Sequence, residues 1–295
     1  MATRTLSCAP TNSSDALFRV WINEIHNAIT AFGWVQTSDT GQVNFSTVTR
    51  PTAVNTFQGY SVYRMGDSLQ STTPFFIRFD YGTCNTTDAP GIKFQVGPAT
   101  DGAGNIVYPG GFPQISTSGS AGVASASSFN CRTSGNSSSF RLNFWCGTGG
   151  VSEGWMIVIE RDKDSSGADT ALGFSMAWCL IIQNNNSISL GSTFISNDGT
   201  WCAVDTGGFY AMVTNNSSQT SGGSTGIGPV RCALGPLRNA MLGLAITART
   251  DWTNESTNSV TIYGASHTYL MLRPSGGSNS LNRWNTDCGF AMLWE

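Results

Sequence analysis

Between Phe140 and Trp178 three consecutive runs carry apolar residues at every second position, and this pattern limits the fold more than any other feature of the chain. Phe140, Leu142, Phe144 and Cys146 share one face while Arg141, Asn143 and Trp145 take the other. Trp155, Ile157 and Ile159 alternate with Met156, Val158 and Glu160, and Phe174, Met176 and Trp178 alternate with Ser175 and Ala177. A period of two belongs to strands. The intervening Gly147-Thr148-Gly149-Gly150 and Asp162-Lys163-Asp164-Ser165-Ser166-Gly167 are rich in turn formers, so the runs read as an antiparallel meander. The second run is apolar on both faces. It is expected to be covered on both sides, by another layer of the chain or by another subunit.

Only 11% of the 295 residues are charged, and Ser, Thr, Asn and Gly fill the difference. Lys93 and Lys163 are the only lysines. Hydroxyls and amides cost less to desolvate than ammonium groups, so such a surface suits burial against partner subunits. The net charge is −3 with no run of like charges, which speaks against nucleic acid as a partner. The longest apolar runs, such as Trp178 to Ile182, are too short to span a bilayer, so no membrane insertion is expected. Residues 1–8 lack the apolar segment of a signal peptide, which predicts synthesis in the cytoplasm. The eight cysteines are scattered without a CxxC pair and are expected to be mainly buried thiols, with Cys84 and Cys131 the best placed for a disulfide.

The spacing of Leu17, Val20, Trp21, Ile25, Ala28, Ile29 and Phe32 predicts a helix over 14–32, capped by Ser13, Ser14 or Asp15 and stopped by Gly33. Its apolar stripe is expected to lie on a sheet or on a neighbouring chain. Short strands follow at Tyr60 to Arg64, Phe75 to Tyr81 and Ile92 to Val96. From Ser116 to Ser139 the composition turns to small and polar residues that bury little surface. The expected organisation is a helix plus strands over 1–115, a linker or long loop over 116–139, and a β-sandwich over 140–295. Late strands are expected at Phe209 to Val213, Met241 to Thr247, Val260 to Tyr263, Thr268 to Leu272 and Phe290 to Trp294. The fold class is mainly β: antiparallel sandwiches or jelly-roll-like units with one N-terminal amphipathic helix.

Phe18-Arg19-Val20-Trp21, Gly33-Trp34-Val35-Gln36-Thr37 and Asp39-Thr40-Gly41-Gln42 resemble virion structural proteins of tailed bacteriophages. So do Gly59 to Gln70, Pro74 to Gly82, and Ile159-Glu160-Arg161-Asp162-Lys163-Asp164 with Gly167. The likeness covers the N-terminal part of the chain and the meander. It implies a β-rich subunit of a tail, baseplate, fibre or decorated head, with other virion proteins and copies of itself as partners. It brings no catalytic residues and no cofactor.

Asp162, Asp164, Ser166 and Gly167 match the opening of a calcium loop, and Asp169 could add an oxygen. The twelfth position is Gly173, not the bidentate Glu such a loop needs, so a hairpin turn is the simpler expectation and a metal site is not assigned. His26 and His267 are the only histidines; neither has ligands at zinc spacing or a nucleophile elbow nearby. Glycoside hydrolysis needs two facing carboxylates, and among Glu24, Glu153, Glu160, Glu255 and Glu295 no pair is set out by spacing. Glu160 beside Arg161 is expected in a charge pair or an interface contact. Trp201, Trp252 and Trp284 lie among polar residues and are candidates to stack on a host-surface glycan, while Trp21 and Ile25 are candidates for a helix interface. The expected function is a non-enzymatic structural subunit of a tailed-phage virion. The alternatives are a capsid decoration protein and a carbohydrate-binding receptor-recognition module.

Overall fold

A computed structural model describes residues 2–8, 14–83, 90–107, 129–148, 151–182, 187–196, 201–204, 227–231, 240–247, 256–272 and 289–295. The chain is mainly β. Its order is β1 (Ala2–Cys8), α1 (Asp15–Ala31), β2 (Val35–Gln36), β3 (Phe57–Arg64), a 3-10 turn (Ser68–Ser71), β4 (Phe76–Thr83), β5 (Pro90–Gly97), β6 (Ala99–Thr100) and β7 (Ile106–Val107). The centre follows with β8 (Phe129–Asn136), β9 (Ser139–Thr148), β10 (Val151–Lys163), β11 (Asp169–Ile182), β12 (Ser187–Ser196) and β13 (Trp201–Val204). The last strands are β14 (Ile227–Arg231), β15 (Ala240–Thr247), β16 (Thr257–Ile262), β17 (Ala265–Leu272) and β18 (Gly289–Leu293).

The central sheet has the order β1-β8-β9-β10-β11-β12-β13, so six strands run as consecutive hairpins and the N-terminal strand closes one edge. The expected meander is its middle, with Ile157 opposite Leu142 on one side and Trp178 on the other. Of the two expected β forms, stacked sheets are the one observed here. A small sheet, β2-β3-β4-β5, and a C-terminal sheet, β14-β15-β18-β17-β16, pack on opposite faces of the central one. β10 is therefore covered from both sides within one chain, which accounts for its two apolar faces.

Helix α1 starts where the Ser14 side chain accepts a hydrogen bond from the Leu17 N–H at 3.2 Å. It stops before Gly33, whose φ of +92° suits a residue without a side chain. Its buried face is Phe18, Trp21, Ile22, Ile25, Ala28 and Ile29. That face is rotated from the expected stripe, leaving Val20 51% exposed. The helix packs on the inner face of the small sheet, where Trp21 meets Tyr81 edge-on at 5.8 Å. Phe140 of the central sheet joins this core, with Phe32, Trp34 and Phe79 around it.

Residues 129–139 of the expected linker are β8 and its turn into β9, while 116–128 lie outside the described residues. The main core also draws on both sides of that segment, from Phe18 through Phe94 to Phe140 and Met176. In β8 the exterior-type residues Arg132, Thr133 and Ser134 are buried, so hydrophobic alternation could not reveal the strand. The expected strand Phe209 to Val213 lies outside the described residues.

Candidate functional site

Alternation along β10 sends Glu160 and Arg161 into different layers. Glu160 points towards the C-terminal sheet and is 1% exposed. Its two carboxylate oxygens each accept a backbone N–H from β15, Leu242 and Gly243, both at 2.7 Å. The buried Arg141 guanidinium approaches Oε2 at 3.4 Å. Burial pulls the Arg141 pKa down, and the Glu160 carboxylate opposes that pull. Gly243 is required here: a Cβ at this position would stand 2.6 Å from Val158 and 2.8 Å from Glu160 Oε2. Tyr269 closes the cluster by donating its hydroxyl to the Leu242 carbonyl at 2.8 Å, and burial pushes its pKa up. Ser134 donates to the Leu293 carbonyl nearby. Sheet-to-sheet contact is thus made by ionic and backbone bonds as well as by apolar packing.

Arg161 points the other way and is wholly buried. It holds the Asp67 carboxylate through Nε and Nη2, the latter at 2.8 Å, and donates from Nη1 to the Thr73 carbonyl at 3.1 Å. Its guanidinium lies 4.9 Å from the Phe174 ring centre. Thr73 donates its hydroxyl to the Ala171 carbonyl at 2.8 Å, so both ends of the 3-10 segment are tied to the central sheet. Of the charge pair or interface contact expected for Glu160, the structure has the charge pair, made with Arg141 and not with the adjacent Arg161, because neighbours on a strand face opposite sides. No family model and no curated protein matches this chain. Both clusters therefore rest on their own geometry. Each is shielded from water, which strengthens its ionic bonds and leaves the charges serving as ties between layers.

Among the sequence candidates, Trp21 and Ile25 belong to the chain's own core, at 2% and 1% exposed. They face inward because the small sheet packs on this face of the helix. Trp201 lies on edge strand β13, and Trp252 and Trp284 fall outside the described residues. His26 Nδ1 sits 2.9 Å from the Tyr63 hydroxyl with its ring tilted on Phe45, and burial lowers its pKa. His267 Nδ1 lies 2.9 Å from Glu295 Oε1, which also accepts the Thr268 N–H. On the outer face of the small sheet the aromatic rings of Tyr60 and Phe57 are covered by Arg78 at 3.9 Å and Lys93 at 4.1 Å. A sugar ring would have to displace those cations to stack there.

The calcium candidates diverge. Asp162 is buried at the end of β10. Asp164 Oδ1 accepts from the Ser166 N–H, the Ser166 hydroxyl and the Ala168 N–H, a hairpin turn closed by its own first residue. Asp169 binds the Lys163 ammonium and the Ser138 hydroxyl. Among the described residues no group of three or more His, Cys, Asp or Glu is arranged to hold a metal ion.

The hydrogen bond from Ser166, followed by those from the backbone, holds the Asp164 carboxyl below the usual carboxylate range. A carboxylate lowered on folding stabilises the folded hairpin above its unfolded pKa, and that contribution fades as pH falls through the folded value. An NMR titration should place the Asp164 midpoint below those of exposed aspartates, and Ser166→Ala should raise it. An unmoved midpoint would mean the hydroxyl bond is not made in solution.

Proposed function

We propose that this chain is a non-enzymatic structural subunit of a tailed-phage virion, acting through multi-copy packing in the tail, baseplate or fibre apparatus. The observation that carries the reading is the double tie of β10. Glu160 locks one outer layer and Arg161 the other, making a stiff three-layer block in which buried charges serve cohesion. A stiff block transmits shape to its neighbours with little loss of conformational freedom on assembly. The weakly charged surface of hydroxyls and amides, and the resemblance of stretches within 18–42, 59–70 and 74–82 and of 159–164 with Gly167 to tailed-phage structural proteins, support the same reading. No helix among the described residues is long and apolar enough to cross a membrane.

The test is immunogold labelling of particles purified from cells that produce the chain. Regular labelling of the tail, baseplate or fibres is expected. Labelling over the head would assign the decoration role instead, and particles without label would overturn the virion reading.

A further inference from the structure

Among the described residues strand β16 ends the C-terminal sheet and pairs with β17 alone. The hairpin joining them turns through Tyr263 and Gly264, with φ of 50° and 75°, the positive pair that a two-residue turn of the primed type needs. That turn sets Ile262 opposite Ala265 and fixes which backbone groups point inward. Counting back, Ser256, Asn258, Val260 and Ile262 direct their N–H and C=O to β17, as the bond from Met271 N–H to the Ser256 carbonyl at 2.9 Å bears out. Thr257, Ser259 and Thr261 direct theirs away from the sheet.

Natural sheets usually protect such an edge with Lys, Pro or a bulge. β16 has none of these: residues 256–266 contain no charged residue and no proline, and its register with β17 is unbroken. Thr257, Asn258, Ser259 and Thr261 are exposed. The outward residues are also symmetric about Ser259, reading Thr-x-Ser-x-Thr. An antiparallel copy centred there places Thr257 opposite Thr261 of the copy, a favourable cross-strand pair, and Ser259 opposite itself. Every outward N–H then meets an outward C=O, no like charges meet, and half-buried Val260 and Ile262 face Asn258 and Ser256 of the copy.

We propose that β16 is a self-pairing edge through which two copies of this chain join their C-terminal sheets, antiparallel, about a two-fold axis at Ser259. The proposal deepens the multi-copy reading, and its failure is separable from it: a chain that stays monomeric in solution yet labels particles sinks the edge and spares the subunit.

The experiment is sedimentation velocity of the full chain under reducing conditions across a concentration series. The mass should rise from 31.3 kDa towards twice that value. Ser259→Pro removes only an outward donor, leaving the bonds to β17, and should weaken association at least tenfold with an unchanged far-UV spectrum. Should that variant fail to fold, the double variant Thr257→Lys with Thr261→Lys should do the same by charge repulsion. Mixing it with the corresponding Thr257→Glu, Thr261→Glu chain should restore dimers. In paired strands Cα atoms of such opposed residues are about 5.5 Å apart, within disulfide range, so oxidised Ser259→Cys should give a 259-to-259 linked dimer while Ser266→Cys does not. A mass fixed at 31.3 kDa at every concentration, or association untouched by both edge variants, overturns the proposal.

Discussion

Glu160→Ala is expected to lower the unfolding free energy by about 3–5 kcal/mol, the cost of breaking a buried ionic contact from one side. The substitution removes the carboxylate facing the Arg141 guanidinium and takes the acceptor from the N–H groups of Leu242 and Gly243 in a site that excludes water. The measurement is the urea midpoint, with the slope checked for constancy. Glu160→Gln keeps one acceptor oxygen and should fall between the wild type and alanine. Adding Arg141→Met to Glu160→Gln should recover part of the loss, because removing both charges of a buried pair costs less than removing one. A loss under about 1 kcal/mol for Glu160→Ala would mean that water reaches the cluster and that the C-terminal sheet is held by apolar contact alone.

Phe140→Ala should cost a comparable amount, about 3–5 kcal/mol, through the cavity it leaves. The ring centre lies 6.1 Å from Phe32, 5.9 Å from Trp34 and 6.1 Å from Phe79, so it touches the end of the helix, the chain leaving it and the small sheet together. These neighbours come from two segments, the helix end with the chain leaving it and β4, and cannot close on the void without moving the layers. Phe140→Leu keeps most of the volume and should cost under about 1.5 kcal/mol. Equal losses for both substitutions would place Phe140 in a site that collapses freely, against the packing described.

The meander and the helix were legible because each has one face that must be apolar, and the period shows at once. The helix stripe was rotated, however. Val20 was counted with the buried set while Phe18 and Ile22 were not, since several turn-spaced sets share Trp21, Ile25 and Ile29, and only the surrounding layers decide among them. β8 was hidden for a different reason. Its face towards the C-terminal sheet carries Arg132 and Ser134, polar residues buried in an ionic layer, so the stretch resembles a loop. The two charged ties were half visible: a Glu and an Arg inside an otherwise apolar strand were a signal that something must compensate them. Their partners could not be found by spacing, since Asp67 lies 94 positions from Arg161 and Leu242 lies 82 from Glu160. For Trp21 and Ile25 the stripe leaves open whether a sheet or a neighbouring chain lies over them, because spacing does not say which layer covers the helix.

β10 tolerates changes of side chain far better than changes of length. Deleting one residue ahead of Glu160 would turn the carboxylate towards Asp67 and the guanidinium towards the N–H groups of Leu242 and Gly243, setting like against like in both seams at once. Sequences that keep this architecture should therefore vary in letters along the strand while their insertions and deletions gather at its ends, in the turns on either side.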